Sequence, residues 1–125
     1  MDRQAVTPTG LTSSAPYSLG IKAGGFLFVS GQVAREAETG RIPDGIEEQT
    51  RVSLENVKRV VEAAGSSMDQ VVKVTVFLTD MKDFTKMNQV YRTFFSDDLP
   101  ARSAIGVKEL VRPEFIIEIE AIALL

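Results

Sequence analysis

A chain of 125 residues, 44% hydrophobic and 25% charged, has the make-up of one ordinary globular domain over residues 1–125, able to build a core without metal or disulfide staples. Cysteine and histidine are both absent, which excludes disulfides, thiolate nucleophiles, Ser-His-Asp or Cys-His catalysis and a structural zinc site. The net charge of −3 disfavours a nucleic-acid partner, no apolar run reaches the roughly 20 residues of a membrane span, and no basic-then-apolar leader opens the chain, so a cytoplasmic location is expected.

Residues 1–15, rich in Thr, Ser, Pro and Gly, read as a polar lead-in. Two apolar runs, 17–23 and 26–30, then flank Gly24-Gly25. That pattern predicts a tight hairpin, because both central positions of the favoured turn need positive φ. In the second run Phe26, Phe28 and Ser30 share one face, and Leu27 and Val29 the other. Residues 33–43 form a polar loop with Thr39-Gly40 and Pro43.

Asp44, three positions before Glu47, resembles a helix cap with a reciprocal partner. Ile46, Thr50, Leu54, Val57, Val61 and Ala64 follow at helical spacing, and Gly65 supplies the stop. The opposite face carries Glu47, Arg51, Glu55, Lys58, Arg59 and Glu62, with opposite charges three or four apart. Residues 71–79 alternate as a strand, with Val72, Val74, Val76 and Leu78 on one face. Asp83 is expected to cap a second helix with the stripe Phe84, Met87, Asn88, Tyr91, Phe94 and Phe95.

Pro100 precedes a strand expected over residues 101–110, residues 111–114 turn, and 115–124 form the last strand. That strand sets Phe115, Ile117, Ile119, Ala121 and Ala123 against Ile116, Glu118, Glu120 and Ile122. The order is β-β-α-β-α-β-β, an α+β fold with two helices on one face of a mixed sheet. The uncovered face keeps apolar residues and is expected to pack against partner subunits.

Three features break the pattern. Asn88 lies inside an apolar stripe, where an amide needs hydrogen-bond partners; a loop contact and a site-shaping role both fit. Glu118 and Glu120 share a strand face, either solvated or as functional carboxylates. Arg102 stands among small residues (Ala101, Ser103, Ala104) and can serve a structural ion pair or grip a carboxylate with its planar fork. If residues 111–114 make a simple hairpin turn, Glu118 lies about five rungs from Arg102, too far at roughly 3.3 Å per residue to pair within one chain.

The chain resembles the RidA (reactive intermediate deaminase) family, also described as L-PSP endoribonucleases, over residues 16–123. The likeness is carried by Pro16-Tyr17-Ser18, Phe28-Val29-Ser30-Gly31-Gln32, Gln49-Thr50-Arg51, Leu54-Glu55-Asn56 and the run 72–78. It continues through Met87-Asn88-Gln89-Val90-Tyr91, Pro100-Ala101-Arg102-Ser103 and the run 118–123. The resemblance implies a chorismate-mutase-like subunit assembled as a homotrimer, with an active site in each inter-subunit cleft. It also implies cofactor-free hydrolysis of 2-iminobutanoate and 2-iminopropanoate to 2-keto acids and ammonia.

By the same resemblance, Arg102 binds the substrate carboxylate and Glu118 positions or activates water. The resemblance implies that Tyr17, Ser30 and Asn88 line the pocket with Ala104, while Glu120 keeps its structural reading. The chain departs from the family's common pattern at Ala15, Leu19, Ala104 and Gly106, which bears on substrate range. Competing readings are a deaminase of another enamine, such as 2-aminomuconate or an aminoacrylate, and a non-catalytic or chaperone-like trimer that binds small carboxylates. A ribonuclease fits poorly with an acidic chain lacking histidine.

Overall fold

Six strands and two α-helices form among the described residues, one strand more than the periodicity predicts. The computed structural model describes residues 2–125. In chain order the elements are β1 (Gln4–Val6), β2 (Gly20–Ala23), β3 (Phe26–Val33), α1 (Ile46–Ala63), β4 (Val71–Leu78), α2 (Phe84–Arg92), β5 (Ala101–Gly106) and β6 (Ile117–Leu124). They build a mixed sheet in the order β1-β2-β3-β6-β4-β5, with β4 and β5 parallel and the other neighbours antiparallel. The added strand is β1: part of the polar lead-in pairs with β2 and buries Val6.

The core lies between the sheet and the helices. Helix α1 packs across β3 and β6 and against α2. Leu54, Val57, Val60 and Val61 meet Leu27 and Val29 of β3, Val74, Val76 and Leu78 of β4, and Ile117 and Ile119 of β6. Burying each such side chain contributes about 1.5–3 kcal/mol. The apolar stripe read for α1 is the buried one, and the alternation read for β6 separates buried from outward residues without exception.

Four local expectations are corrected. Gly45, at φ 85°, occupies the α1 N-cap, and Asp44 makes no capping bond; a positive φ there suits glycine and not aspartate. Asp80 does the capping before α2, accepting from the Lys82 N–H, while Asp83 makes no side-chain cap. An irregularity between Val71 and Lys73 turns Val71 inward and leaves Val72 exposed. Strand β5 stops at Gly106 instead of running to residue 110, and it pairs with β4 rather than folding back on β6.

The α1 C-terminus ends as expected at Gly65, φ 86°, with the Gly65 and Ser66 N–H groups donating to the carbonyls of Glu62 and Val61. Three polar side chains on α1 also hold the backbone of β3 and of neighbouring loops. Gln49 Nε2 donates to the carbonyls of Pro43 and Glu114 (2.9 and 2.8 Å), and its Oε1 accepts from the Ile116 N–H (3.0 Å). The Ser53 hydroxyl donates to the Gln32 carbonyl, and the Asn56 amide donates to the carbonyls of Val33 and Arg35. No helix among the described residues is long and apolar enough to cross a membrane.

Candidate functional site

Strand β5 is the sheet's edge, and its parallel register decides where Arg102 points. Arg102 lies beside Val74, and Ala104 beside Val76; both valines face the helices. Arg102 and Ala104 therefore share the helix side, under α2. The helical spacing of Phe84, Met87, Asn88 and Tyr91 turns those four side chains toward the edge. Arg102 Nη1 donates to Asn88 Oδ1 at 2.7 Å. The guanidinium carbon stands 4.7 Å from the Tyr91 ring centroid and 5.5 Å from that of Phe84.

Half-buried, Arg102 forms no ion pair among the described residues. Among the described residues its side-chain hydrogen bonds use Nη1 alone, and Nε and Nη2 meet no acceptor. A structural salt bridge is thus not what holds this arginine. The side-chain hydrogen bond of Asn88 is to the guanidinium and not to a loop backbone.

A second group of residues sits on the opposite face of the sheet. Strands β3 and β6 pair regularly up to Val29–Ala121 and again from Gln32–Ile119, with a register shift between. Ser30 and Gly31 lie in that bulge, so neither turns inward between the buried Val29 and Gln32. Glu118, beside Phe77 on β4, crosses Gly31: a Cβ there would stand 2.8 Å from the Glu118 carboxyl carbon. Burial, and then the neighbouring Glu120, raise the Glu118 pKa above its usual value.

The Ser30 hydroxyl donates to the Ser18 carbonyl (2.6 Å) and its N–H to the Leu19 carbonyl (3.0 Å), clamping the bulge to the segment that carries Tyr17. Tyr17 is half exposed and lines a cavity of about 620 Å³ with Ala15, Leu19, Gly31, Arg112 and Phe115. Leu19 belongs to the core as well as to that wall. Gly106 abuts Met81, whose Cγ would lie 3.1 Å from an added Cβ.

The structure thus gathers Arg102, Asn88 and Ala104 in one place, and Tyr17, Ser30 and Glu118 in another. Strand β4 separates the two carriers, Val74 and Phe77 mark opposite faces, and the offset is about 10 Å across strands and about 10 Å along them. The expectation that Arg102 and Glu118 do not meet within one chain holds, for a different reason than a hairpin turn. Sequence reasoning passed over Gly31, although a glycine inside a strand pattern signals a bulge or a close approach. It also took the Phe84 and Tyr91 rings for core alone.

The family model described as Endoribonuclease L-PSP matches residues 7–125. A RutC family protein of Pyrococcus horikoshii is 53% identical over 109 residues, 86% of each chain. TdcF of Escherichia coli K12, provisionally named a reactive intermediate deaminase, is 44% identical over 111 residues, 86% of this chain and 85% of its own. The crystal structure of E. coli TdcF with bound serine superposes with a TM-score of 0.92 at 39% identity over 98% of both chains. RidA from an Antarctic Psychrobacter does so at 0.92 and 35%, over 98% of this chain and 99% of that one. Fold and sequence agree: the chain belongs to the RidA family, whose model carries the description Endoribonuclease L-PSP.

Proposed function

We propose that this protein hydrolyses reactive 2-imino acids, 2-iminobutanoate and 2-iminopropanoate among them, to 2-keto acids and ammonia in clefts between the subunits of a homotrimer. The observation that carries the reading is the half-buried Arg102 guanidinium with no acidic partner and two donors free. A guanidinium fork left open in this way fits a carboxylate through two parallel hydrogen bonds. The name of TdcF and the serine bound in its crystal structure support a ligand of this kind.

The chemistry follows from the groups present. Arg102, steadied by Asn88, grips the substrate carboxylate and fixes the adjacent C=N carbon, while Ala104 leaves room beside it. Glu118 of a neighbouring subunit, with its raised proton affinity, accepts a proton as water adds to that carbon. The new C–O bond gives a tetrahedral carbinolamine. Proton return to nitrogen and loss of the hydroxyl proton break the C–N bond as the C=O forms, releasing ammonia and leaving the 2-keto acid. Tyr17 and Ser30 shape the Glu118 side of the cleft.

Assembly is part of the proposal because the two half-sites face opposite ways in one chain. The outward sheet face presents Phe26, Phe28, Ile105 and Leu124, all exposed, which suits burial against another copy. The test generates 2-iminobutanoate in situ and traps what remains with semicarbazide. Faster loss of trappable imine with the wild type, and not with Arg102→Ala, is expected. No acceleration by a folded, assembled wild type rejects the activity; carboxylate binding without turnover would then favour the non-catalytic reading.

A further inference from the structure

The guanidinium of Arg102 rests on aromatic carbon, and Tyr91 supplies most of that floor. Its ring lies 4.7 Å from the guanidinium carbon, nearer than Phe84 at 5.5 Å. Tyr91 is only 5% exposed and packs, tilted by 42°, against Phe95 at a centroid distance of 4.9 Å. The ring therefore lies between Phe95 and the arginine. Among the described residues, its hydroxyl is the fully buried side-chain polar atom without a hydrogen-bond partner. Burial pushes that phenol up to about 12, against an opposing pull from the Arg102 charge, so it stays neutral at working pH. A neutral, unpartnered hydroxyl contributes neither a bond nor a proton; what Arg102 meets is the ring face.

We propose that Tyr91 is a positioning residue of the carboxylate site, its ring face fixing the plane of the Arg102 guanidinium so that Nε and Nη2 remain presented to substrate. Asn88 holds one corner through Nη1, and a single hydrogen bond leaves the fork free to rotate about it. The ring removes that freedom at no polar cost, because it attracts the cation without occupying a donor. A lysine at position 102 would lose this plane, so Arg102→Lys is not a conservative change here. The inference rests on the carboxylate-gripping role proposed above and assigns the residue that orients it.

The experiment compares wild type, Tyr91→Phe and Tyr91→Leu in the full chain, reading KM and kcat for 2-iminobutanoate, calorimetric Kd for 2-oxobutanoate, and melting temperature. Tyr91→Leu is expected to raise KM and Kd together by about tenfold, with kcat within about threefold of wild type. Tyr91→Phe restores both constants to within about twofold and melts no lower than wild type, since it keeps the ring and deletes an unpartnered buried hydroxyl. A merely structural role would lower melting temperature and active fraction in Tyr91→Leu with KM and Kd unchanged, and that result overturns the proposal. Equal damage from Tyr91→Phe overturns it too, by shifting the role to the hydroxyl.

A wild type that neither turns over the imine nor binds 2-oxobutanoate removes the functional reading and this inference together. A wild type that does both, beside an unaltered Tyr91→Leu, removes this inference alone. Should Tyr91→Leu not fold, the Arg102 Nε–H proton resonance of the wild type, assigned by its loss in Arg102→Lys, decides. It is expected upfield from the ring current and to move on adding 2-oxobutanoate; a resonance at the ordinary arginine position overturns the proposal.

Discussion

Arg102 and Glu118 project from opposite faces of one sheet, with strand β4 between the strands that bear them. A site using both must therefore join two copies of the chain. Arg102→Ala and Glu118→Gln should each be inactive alone, yet mixing them under subunit exchange should restore activity. Random 1:1 mixing in a cyclic assembly leaves about a quarter of clefts with both native side chains. Activity that stays at the level of the separate variants after confirmed exchange would rule out the shared cleft.

Glu118 carries a raised pKa because burial and Glu120 both oppose its charge. In the proposed role of proton acceptor it must be ionised, so kcat should fall on acidification at a higher pH than an ordinary glutamate would give. Glu118→Gln should bind 2-oxobutanoate with near-normal affinity and lose that acid limb together with most turnover, by about a hundredfold or more. The stability consequence has a definite sign. A raised folded pKa favours the native state below the unfolded pKa and is lost as pH rises through the folded one. Glu118→Gln should thus be more stable than wild type at neutral pH, with the gap closing as pH falls; urea titrations at several pH values measure it.

Gly31 is not among the glycines with positive φ, so alanine there is tolerated by the backbone and acts through its methyl group alone. That methyl would strike the Glu118 carboxylate. Gly31→Ala should keep the assembly and carboxylate binding but lower kcat by about tenfold to a hundredfold, in proportion to how far Glu118 is displaced. Steady-state kinetics beside calorimetry would show it; intact kcat would mean that the Glu118 side chain has no fixed role.

Gln49 ties α1 to the carbonyls of Pro43 and Glu114 and to the Ile116 N–H. Gln49→Ala leaves these backbone groups without that partner and should cost about 3 kcal/mol in urea unfolding. The loss should appear as a lower midpoint at an unchanged slope, because the buried surface is hardly altered.

Much of this architecture was legible from periodicity. The faces of β6 follow strict alternation, those of β3 do so as far as the Ser30-Gly31 bulge, and helix α1 announces itself by its stripe and by Gly65. What periodicity does not encode is which strands become neighbours. Two strands joined by a short irregular segment suggest a hairpin, but here β4 enters between β5 and β6, and the parallel pairing turns Arg102 toward α2. Caps were misassigned for a related reason: aspartates sit one or more positions from several candidate starts, and only backbone dihedrals choose among them. Individual residue types at both half-sites were readable, since Asn88 in an apolar stripe and Arg102 among small residues break local rules. The neighbours they meet were harder to read: Tyr91 fits its apolar stripe, and Gly31 signals a close approach without naming Glu118 as what approaches.

Strand β5 forms the outer rim of the sheet and has a ladder partner on one side only. Amide protons along such a rim exchange with solvent through small local openings, whereas those of β6, enclosed between β3 and β4, need a far larger one. Arg102, the proposed carboxylate anchor, thus rides on one of the less protected strands of the sheet, and Glu118 on one of the most protected. On warming, the grip on substrate would fade before the fold does, so thermal inactivation would precede unfolding and reverse on cooling.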